Sequence, residues 1–165
     1  IYKSELILAK RQNMQIEKKY SYLLQDAKEL QGETKERVIK TRVNQSVFRQ
    51  IILATYSNKC AISGINIAEL LVASHIIPWS INVEERLNPS NGICLSNLYD
   101  KAFDKGFIGI KSDYTIVLSD KLKAKSSQSY YDKFFNINGQ KIALPERYFP
   151  KKYFLEFHLD TIFLK

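Results

Sequence analysis

The feature that most constrains this chain is a pair of short apolar runs, residues 70–77 (LLVASHII) and 93–95 (ICL). They are separated by a polar loop with Pro78 at one end and Pro89-Ser90-Asn91-Gly92 at the other. Short β-branched runs bounded by proline and turn residues read as buried strands. Residues 96–104 then read as a helix capped by Ser96 or Asn97, with Leu98, Ala102 and Phe103 as its inner face and Gly106 as its stop. The centre of the chain is therefore a strand–loop–strand–helix unit.

The flanks are read in the same way. Residues 2–30 lack Gly and Pro, are rich in helix formers and predict a helix; residues 1–40 form a helical arm or linker. Gln31-Gly32-Glu33-Thr34 is expected to break that helix, and a second helix is expected from about Asn44 to Tyr56 or Ser57. Val47, Phe48, Ile51, Ile52, Leu53 and Ala54 would form its buried stripe, with Asn44 or Ser46 as its cap. Cys60–Gly64 is a short apolar piece closed by a glycine turn. Phe107–Ile110 and Tyr114–Leu118 predict two strands around a Lys-Ser-Asp turn. Residues 120–133 read as an exposed loop or ragged helix, Gln140–Leu144 as a strand after Asn138-Gly139, and Pro150–Phe163 as a terminal helix. The main domain is placed at residues 41–165, with its core at 60–110.

Composition narrows the class. A length of 165 residues suits one domain plus an extension, and 45% hydrophobic with 25% charged residues is globular rather than disordered. No apolar run approaches the roughly 20 residues that cross a bilayer, so no membrane partner is expected. No secretory signal follows Ile1, which predicts a cytoplasmic protein, and the missing initial Met reads as a piece of a longer one. Cys60 and Cys94 are expected to be reduced and buried. Ser63 and Asn97 stand where the second members of C-x-x-C pairs would be, so no structural zinc is expected. Charge is unevenly placed. Residues 1–59 carry 12 Lys/Arg against 6 Asp/Glu, residues 60–105 carry 3 against 5, and residues 106–165 carry 10 against 6. Basic flanks suit a phosphate backbone, and a carboxylate-rich centre between them suits a divalent cation.

The chemistry gathers in the central unit. Asp100 and Asp104 are i and i+4 on one helix face, roughly 5–6 Å apart at Cβ, a spacing that can hold one cation. Oxygen ligands favour Mg²⁺ or Mn²⁺. His75 can serve as a base near neutral pH, and Asn91 can orient the loop or the imidazole through its amide. Phosphodiester hydrolysis needs such a base, together with a Lewis acid on the phosphate.

On these residues the chain resembles a known family. S-H-I-I-P-W, N-P-S-N-G-I-C-L and L-Y-D-K-A-F-D-K-G, in this order and spacing, look like the HNH (His-Asn-His) endonucleases of bacterial restriction-type proteins. G-E-T-K-E-R and R-V-N-Q-S-V-F-R upstream extend the resemblance over roughly residues 31–165. It implies an α+β fold: a ββα-metal (His-Me finger) core with flanking helices, small β-hairpins and an N-terminal helical arm. It further implies a DNA endonuclease of restriction or anti-phage defence, with His75 as general base, Asn91 holding the loop, and Asp100 and Asp104 as ligands of one divalent metal. Arg42, Arg49 and Lys101 are candidate DNA contacts. Cleavage of both strands calls for a homodimer; an upstream recognition or sensor domain is the other expected partner.

The chain departs from the family at two places. Ser74 precedes the base where many members have an acidic residue or His, and Tyr99 stands where relatives often have His. These departures raise an alternative, a weakened nucleic-acid-binding module on the same fold. A second alternative is an assembly domain whose basic helix binds a protein partner.

Overall fold

The computed structural model describes residues 33–124 and 127–165. The expected helix over residues 2–30, and with it most of the helical arm, lies outside the described residues. The chain divides into two compact units, residues 1–50 and 51–165.

The first described element, α1, runs Glu33–Thr55 as one helix of 23 residues. The sequence reading placed a break at residues 31–34, of which Gln31 and Gly32 lie outside the described residues, and a new start near Asn44. Instead Glu33, Thr34 and Asn44 are all helical, and neither Asn44 nor Ser46 is a cap. Residues 33–43 contain no Gly or Pro, and their Glu, Lys and Arg are good helix formers, so nothing interrupts the spiral once it has begun. In its first-unit portion Val43, Val47 and Phe48 are buried.

In the second unit, strands β1 (Leu71–His75) and β2 (Gly92–Ser96) pair antiparallel, with Ser74 opposite Ile93 and His75 opposite Gly92. The predicted strand over 70–77 is thus shortened at both ends; Ala68–Leu70 is a 3-10 turn and Ile76 has left the ladder. Helix α2 (Asn97–Asp104) follows β2 directly and packs on both strands. Ser96 is its N-cap residue, but the cap makes no side-chain hydrogen bond. Strands β3 (Ile108–Ile110) and β4 (Ile116–Leu118) form a second antiparallel pair. Short helices α3 (Asp120–Ala124) and α4 (Gln128–Phe134) come next, and helix α5 (Lys152–Thr161) packs on β3. These elements are the α+β architecture with a ββα core that the sequence implied. Among the described residues, no helix is long and apolar enough to cross a membrane. The predicted strand Gln140–Leu144 is reduced to one bridge, Thr115 with Lys141.

One inner-face assignment is corrected. Leu98 is 47% exposed, and Tyr99 takes the buried position beside Ala102 and Phe103. Tyr99, Ala102 and Phe103 are spaced i, i+3, i+4, which is the helical stripe. The ring of Tyr99 meets Phe134 edge-on at 5.7 Å, and its hydroxyl donates to the Lys133 carbonyl at 2.9 Å.

The C-terminal helix is tied to the end of α2 by His158. Its ring stacks on Phe103 at 3.7 Å with planes 2° apart, and Nε2 donates to the Phe103 carbonyl at 3.1 Å. Nδ1 is buried without a hydrogen-bond partner, so the ring is held neutral, and burial lowers its pKa to about 4. Close by, Gly106 ends α2 with φ +71°, and the Leu164 N–H donates to its carbonyl at 2.9 Å.

Two predictions follow from this junction. A Cβ at Gly106 would lie 2.1 Å from the Ile162 carbonyl oxygen, whereas at Gly64, also at φ +71°, it would meet nothing within 4 Å. Gly106→Ala should therefore cost about 2–4 kcal/mol in urea unfolding and Gly64→Ala about 1 kcal/mol; equal losses would refute the backbone collision. His158 binds fewer protons folded than unfolded between pH 6.5 and about 4. Its contribution to stability is complete above 6.5 and is lost as pH falls through that window, by up to about 3 kcal/mol. His158→Gln should flatten this part of the stability–pH curve; an unchanged slope would place the acid sensitivity elsewhere.

Candidate nuclease site

The site begins where β1 ends. His75 is the last residue of that strand and is half-buried. Its Nε2 lies 2.8 Å from the Arg86 carbonyl oxygen. A carbonyl only accepts, so Nε2 carries the proton and donates it, which leaves Nδ1 as the basic nitrogen of the neutral ring. Trp79 meets the imidazole edge-on at 5.3 Å. Arg86 in turn lies over Trp79, its Cζ 5.0 Å from the ring centroid, and its Nε donates to the Trp79 carbonyl at 2.6 Å. Burial and, to a lesser extent, the Arg86 charge push the His75 pKa below the ordinary 6.5. The contact with the Arg86 carbonyl and the charge of Asp100 oppose that shift.

The loop that supplies this carbonyl is closed by Asn91, which is 1% exposed. Its Oδ1 accepts from the Ile77 N–H at 2.8 Å, and its Nδ2 donates to the carbonyls of Ile77 and Glu85, each at 3.2 Å. Its own carbonyl accepts from the Ile76 N–H at 2.9 Å. Asn91 therefore binds both limbs of the loop and touches the residue just before Arg86. The sequence reading had it orient the imidazole or the loop; its hydrogen bonds are to the loop backbone. Asn88 begins the turn before it, accepting from the Ser90 N–H at 3.0 Å.

Helix α2 brings the acids. Asp100 is raised above the ordinary carboxylate range chiefly by burial, against the opposing influence of Ser74, Lys101 and His75. Asp104 is exposed on its outer side, yet burial of the carboxylate raises it too, and repulsion from Asp100 adds to the effect. The charge of Asp100 thus acts on Asp104, and Lys101 and Lys105 only partly offset the rise in the two acids. Ser74 lies on the strand side. Its hydroxyl is close enough to Asp100 to favour the ionised form, but it is buried and makes no hydrogen bond of regular geometry to any protein group. Two mutually repelling carboxylates and an unsatisfied hydroxyl make an all-oxygen donor set that fits a hard divalent cation. Among the described residues, no three His, Cys, Asp or Glu side chains gather for a metal. The donor set here is two acids and a hydroxyl.

The structure sets Asp100 within electrostatic reach of His75, Asp104 and the exposed Lys101, and Asn91 in the loop that holds His75. Arg42 and Arg49 belong to the first unit, on one stretch of α1 with Gln45 and Ser46. Sequence reasoning missed Arg86 and Trp79. Trp79 carried a signal, an aromatic one turn beyond His75; the Arg86 carbonyl is backbone, and residue type says nothing about it. Ser74 was seen only as a departure from the family. Tyr99 occupies the other departure and is engaged in the core with Phe134 and Lys133 rather than with the acids.

The family model described as HNH endonuclease matches residues 60–111, a span that contains both strands, the loop and all of α2. No curated protein matches the chain.

The clasp at Asn91 has a measurable consequence. Asn91→Ala strands the Ile77 N–H and the Ile77 and Glu85 carbonyls, and should cost about 2–4 kcal/mol in chemical unfolding. Asn91→Asp keeps the acceptor for Ile77 and should fall between wild type and alanine. If alanine is as stable as wild type, the loop is held by other means.

Proposed function

We propose that this chain, whose residues 60–111 match the family model described as HNH endonuclease, is a phosphodiester-hydrolysing nuclease that acts on DNA and cuts with one divalent metal and with His75 as general base. The observation that carries this reading is the contact between His75 Nε2 and the Arg86 carbonyl at 2.8 Å, because it holds a proton on Nε2 and so fixes the tautomer of a neutral ring. Asp100 and Asp104, with the Ser74 hydroxyl, would hold Mg²⁺ or Mn²⁺. When bound, the ion would supply Lewis-acid polarisation of the scissile phosphate and offset charge on the leaving oxygen.

The chain's own residues do the rest. His75 Nδ1 takes a proton from the attacking water, and the charge that appears on the imidazole is stabilised by the Arg86 carbonyl and by Asp100. The depressed pKa keeps the ring neutral, and so ready to accept, at neutral pH. Asn91 is a positioning residue that acts through the loop backbone. Lys101 is our candidate for a phosphate contact at the site, and Arg42 and Arg49 for contacts to the DNA backbone. The biological setting we favour is bacterial restriction or anti-phage defence in the cytoplasm. The domain would act as a homodimer to cut both strands, or under an upstream recognition domain.

A plasmid-cleavage assay with Mg²⁺ and with Mn²⁺ tests the reading. His75→Ala should lower the rate by about 10²–10⁴-fold. Asp100→Asn should raise the metal concentration for half-maximal activity by about tenfold or more, and chelation should abolish cutting. Below the His75 pKa the base is protonated. The rate should therefore fall as pH decreases, with a midpoint below 6.5. Equal nicking by wild type and His75→Ala would refute the base assignment. A wild type that binds DNA but cuts with neither metal would instead favour the binding-module alternative.

A further inference from the structure

Beside the active-site loop runs a segment that the catalytic reading does not use. Residues 147–153, Arg-Tyr-Phe-Pro-Lys-Lys-Tyr, carry three cations, three aromatic rings and no acid. Arg147, Lys151 and Lys152 are exposed, and Phe149 and Tyr153 are each 51% exposed. Arg147 lies over the Tyr148 ring at 5.6 Å, and Lys151 lies over Tyr153 at 5.6 Å and Phe154 at 5.4 Å.

The segment is held in a defined shape. Tyr148 adopts φ +61°, a left-handed conformation that costs a bulky residue energy and persists only where the surroundings impose it. Tyr114 fixes the next turn by donating from its hydroxyl to the Pro150 carbonyl at 3.2 Å. The segment is also joined to the active-site loop. The Lys151 N–H donates to the Ser90 carbonyl at 3.1 Å, one residue from Asn91. Tyr153 Oη lies 3.5 Å from Glu85 Oε1, one residue from Arg86. Glu85 is the acid that faces this strip from the loop, and its other oxygen is engaged by the Asn88 amide.

We propose that residues 147–153 form a binding strip for an unpaired stretch of the substrate strand next to the scissile phosphate. This rests on the nuclease reading above for what the neighbouring site does. The charge is complementary to a phosphate backbone, and continuity with the active-site loop places the strip on the path of a strand engaged there. The aromatic rings select the strand's state. Bases inside a duplex stack on one another, so only unpaired bases can lie against protein rings, and such stacking tolerates any sequence. Phe149 and Tyr153 are the rings exposed enough to receive them, and Arg147, Lys151 and Lys152 would track the phosphates. The substrate class is therefore DNA with a single-stranded segment at the cut, such as a gap, fork or displaced strand.

The test is fluorescence anisotropy with the full chain in chelator, so that binding is read without cutting. Single-stranded and duplex oligonucleotides of equal length are compared at fixed salt. The double variant Phe149→Ala, Tyr153→Ala should lose about 10- to 100-fold in affinity for the single strand, and less than about threefold for the duplex. Tyr153→Phe keeps the ring and drops the contact to Glu85, and should bind both within about twofold of wild type. Thermal melts of each variant confirm an intact fold. Equal losses on both oligonucleotides, or none on either, would overturn the strip. So would a Tyr153→Phe variant as weak as the double one, because the ring would then act only through Glu85. Cleavage of gapped and fully paired DNA by wild type with Mn²⁺ separates this proposal from the nuclease reading. Cutting with no selective loss in the double variant removes the strip alone. Selective loss without cutting on any substrate removes the nuclease reading and leaves the strip as a nucleic-acid contact.

Discussion

The side chain of Asn91 closes the loop between β1 and β2 with three hydrogen bonds to backbone, and the setting of the His75 ring depends on that closure. Residues 76–91 leave one strand and return to its neighbour without secondary structure of their own, apart from the 3-10 turn Pro89–Asn91. Such a loop samples many conformations unless buried polar groups fix it. An amide that both accepts from and donates to Ile77 reproduces a strand partner at a point where the ladder has ended. Its third bond, to Glu85, sets the position of the adjoining Arg86 carbonyl and through it the His75 ring. Burial makes this arrangement stiff, because each broken bond would leave a polar group without water.

The electrostatics of the site follow from where that closure puts the groups. His75 is pushed towards its neutral form, and Asp100 and Asp104 are pushed towards protonation, all by burial first. The attraction between His75 and Asp100 offsets only part of that burial cost. The carboxylates repel, the Ser74 hydroxyl has no regular hydrogen bond, and Lys101 and Lys105 only partly compensate. Titratable groups held against such a burial cost cluster at functional sites, and this cluster is where the proposed reading puts its metal. The His158 junction supplies rigidity at the other end of α2. The stacked ring and the 3.1 Å bond to Phe103 hold the helix terminus that carries Asp104.

Much of this unit was readable from the chain because its information is local. Two β-branched runs, a proline, an Asn-Gly and a helical stripe are each decided within a few residues, and they gave the strands, the loop and α2 in order. What failed to show depended on distant partners or on backbone. Leu98 and Tyr99 are adjacent and both apolar in character; the choice between them was made by Phe134 and Lys133, over thirty residues downstream. The stripe Tyr99, Ala102, Phe103 would have given the answer if Tyr had been weighed as a core residue. The helix start expected near Asn44 gave too much weight to a cap residue type, when Glu33 to Val43 upstream hold no Gly or Pro to stop a helix. The acceptor for His75 is a carbonyl, and any residue at position 86 could have supplied it.

Tyr99 also bears on how a departure from a family pattern should be read. From the sequence alone it looked like a missing nitrogen ligand. The structure shows a residue engaged in packing, with its ring against Phe134 and its hydroxyl satisfied by a backbone carbonyl. A side chain so committed is a core residue whose place is explained by packing alone. Ser74, the other departure, is placed differently: its oxygen is buried beside Asp100 without a regular hydrogen bond. On the one-metal reading proposed above, a neutral hydroxyl in place of an acid would leave a bound divalent ion with one more net positive charge. That would weaken the hold on the ion and strengthen its pull on a phosphate, shifting the balance between binding the ion and using it.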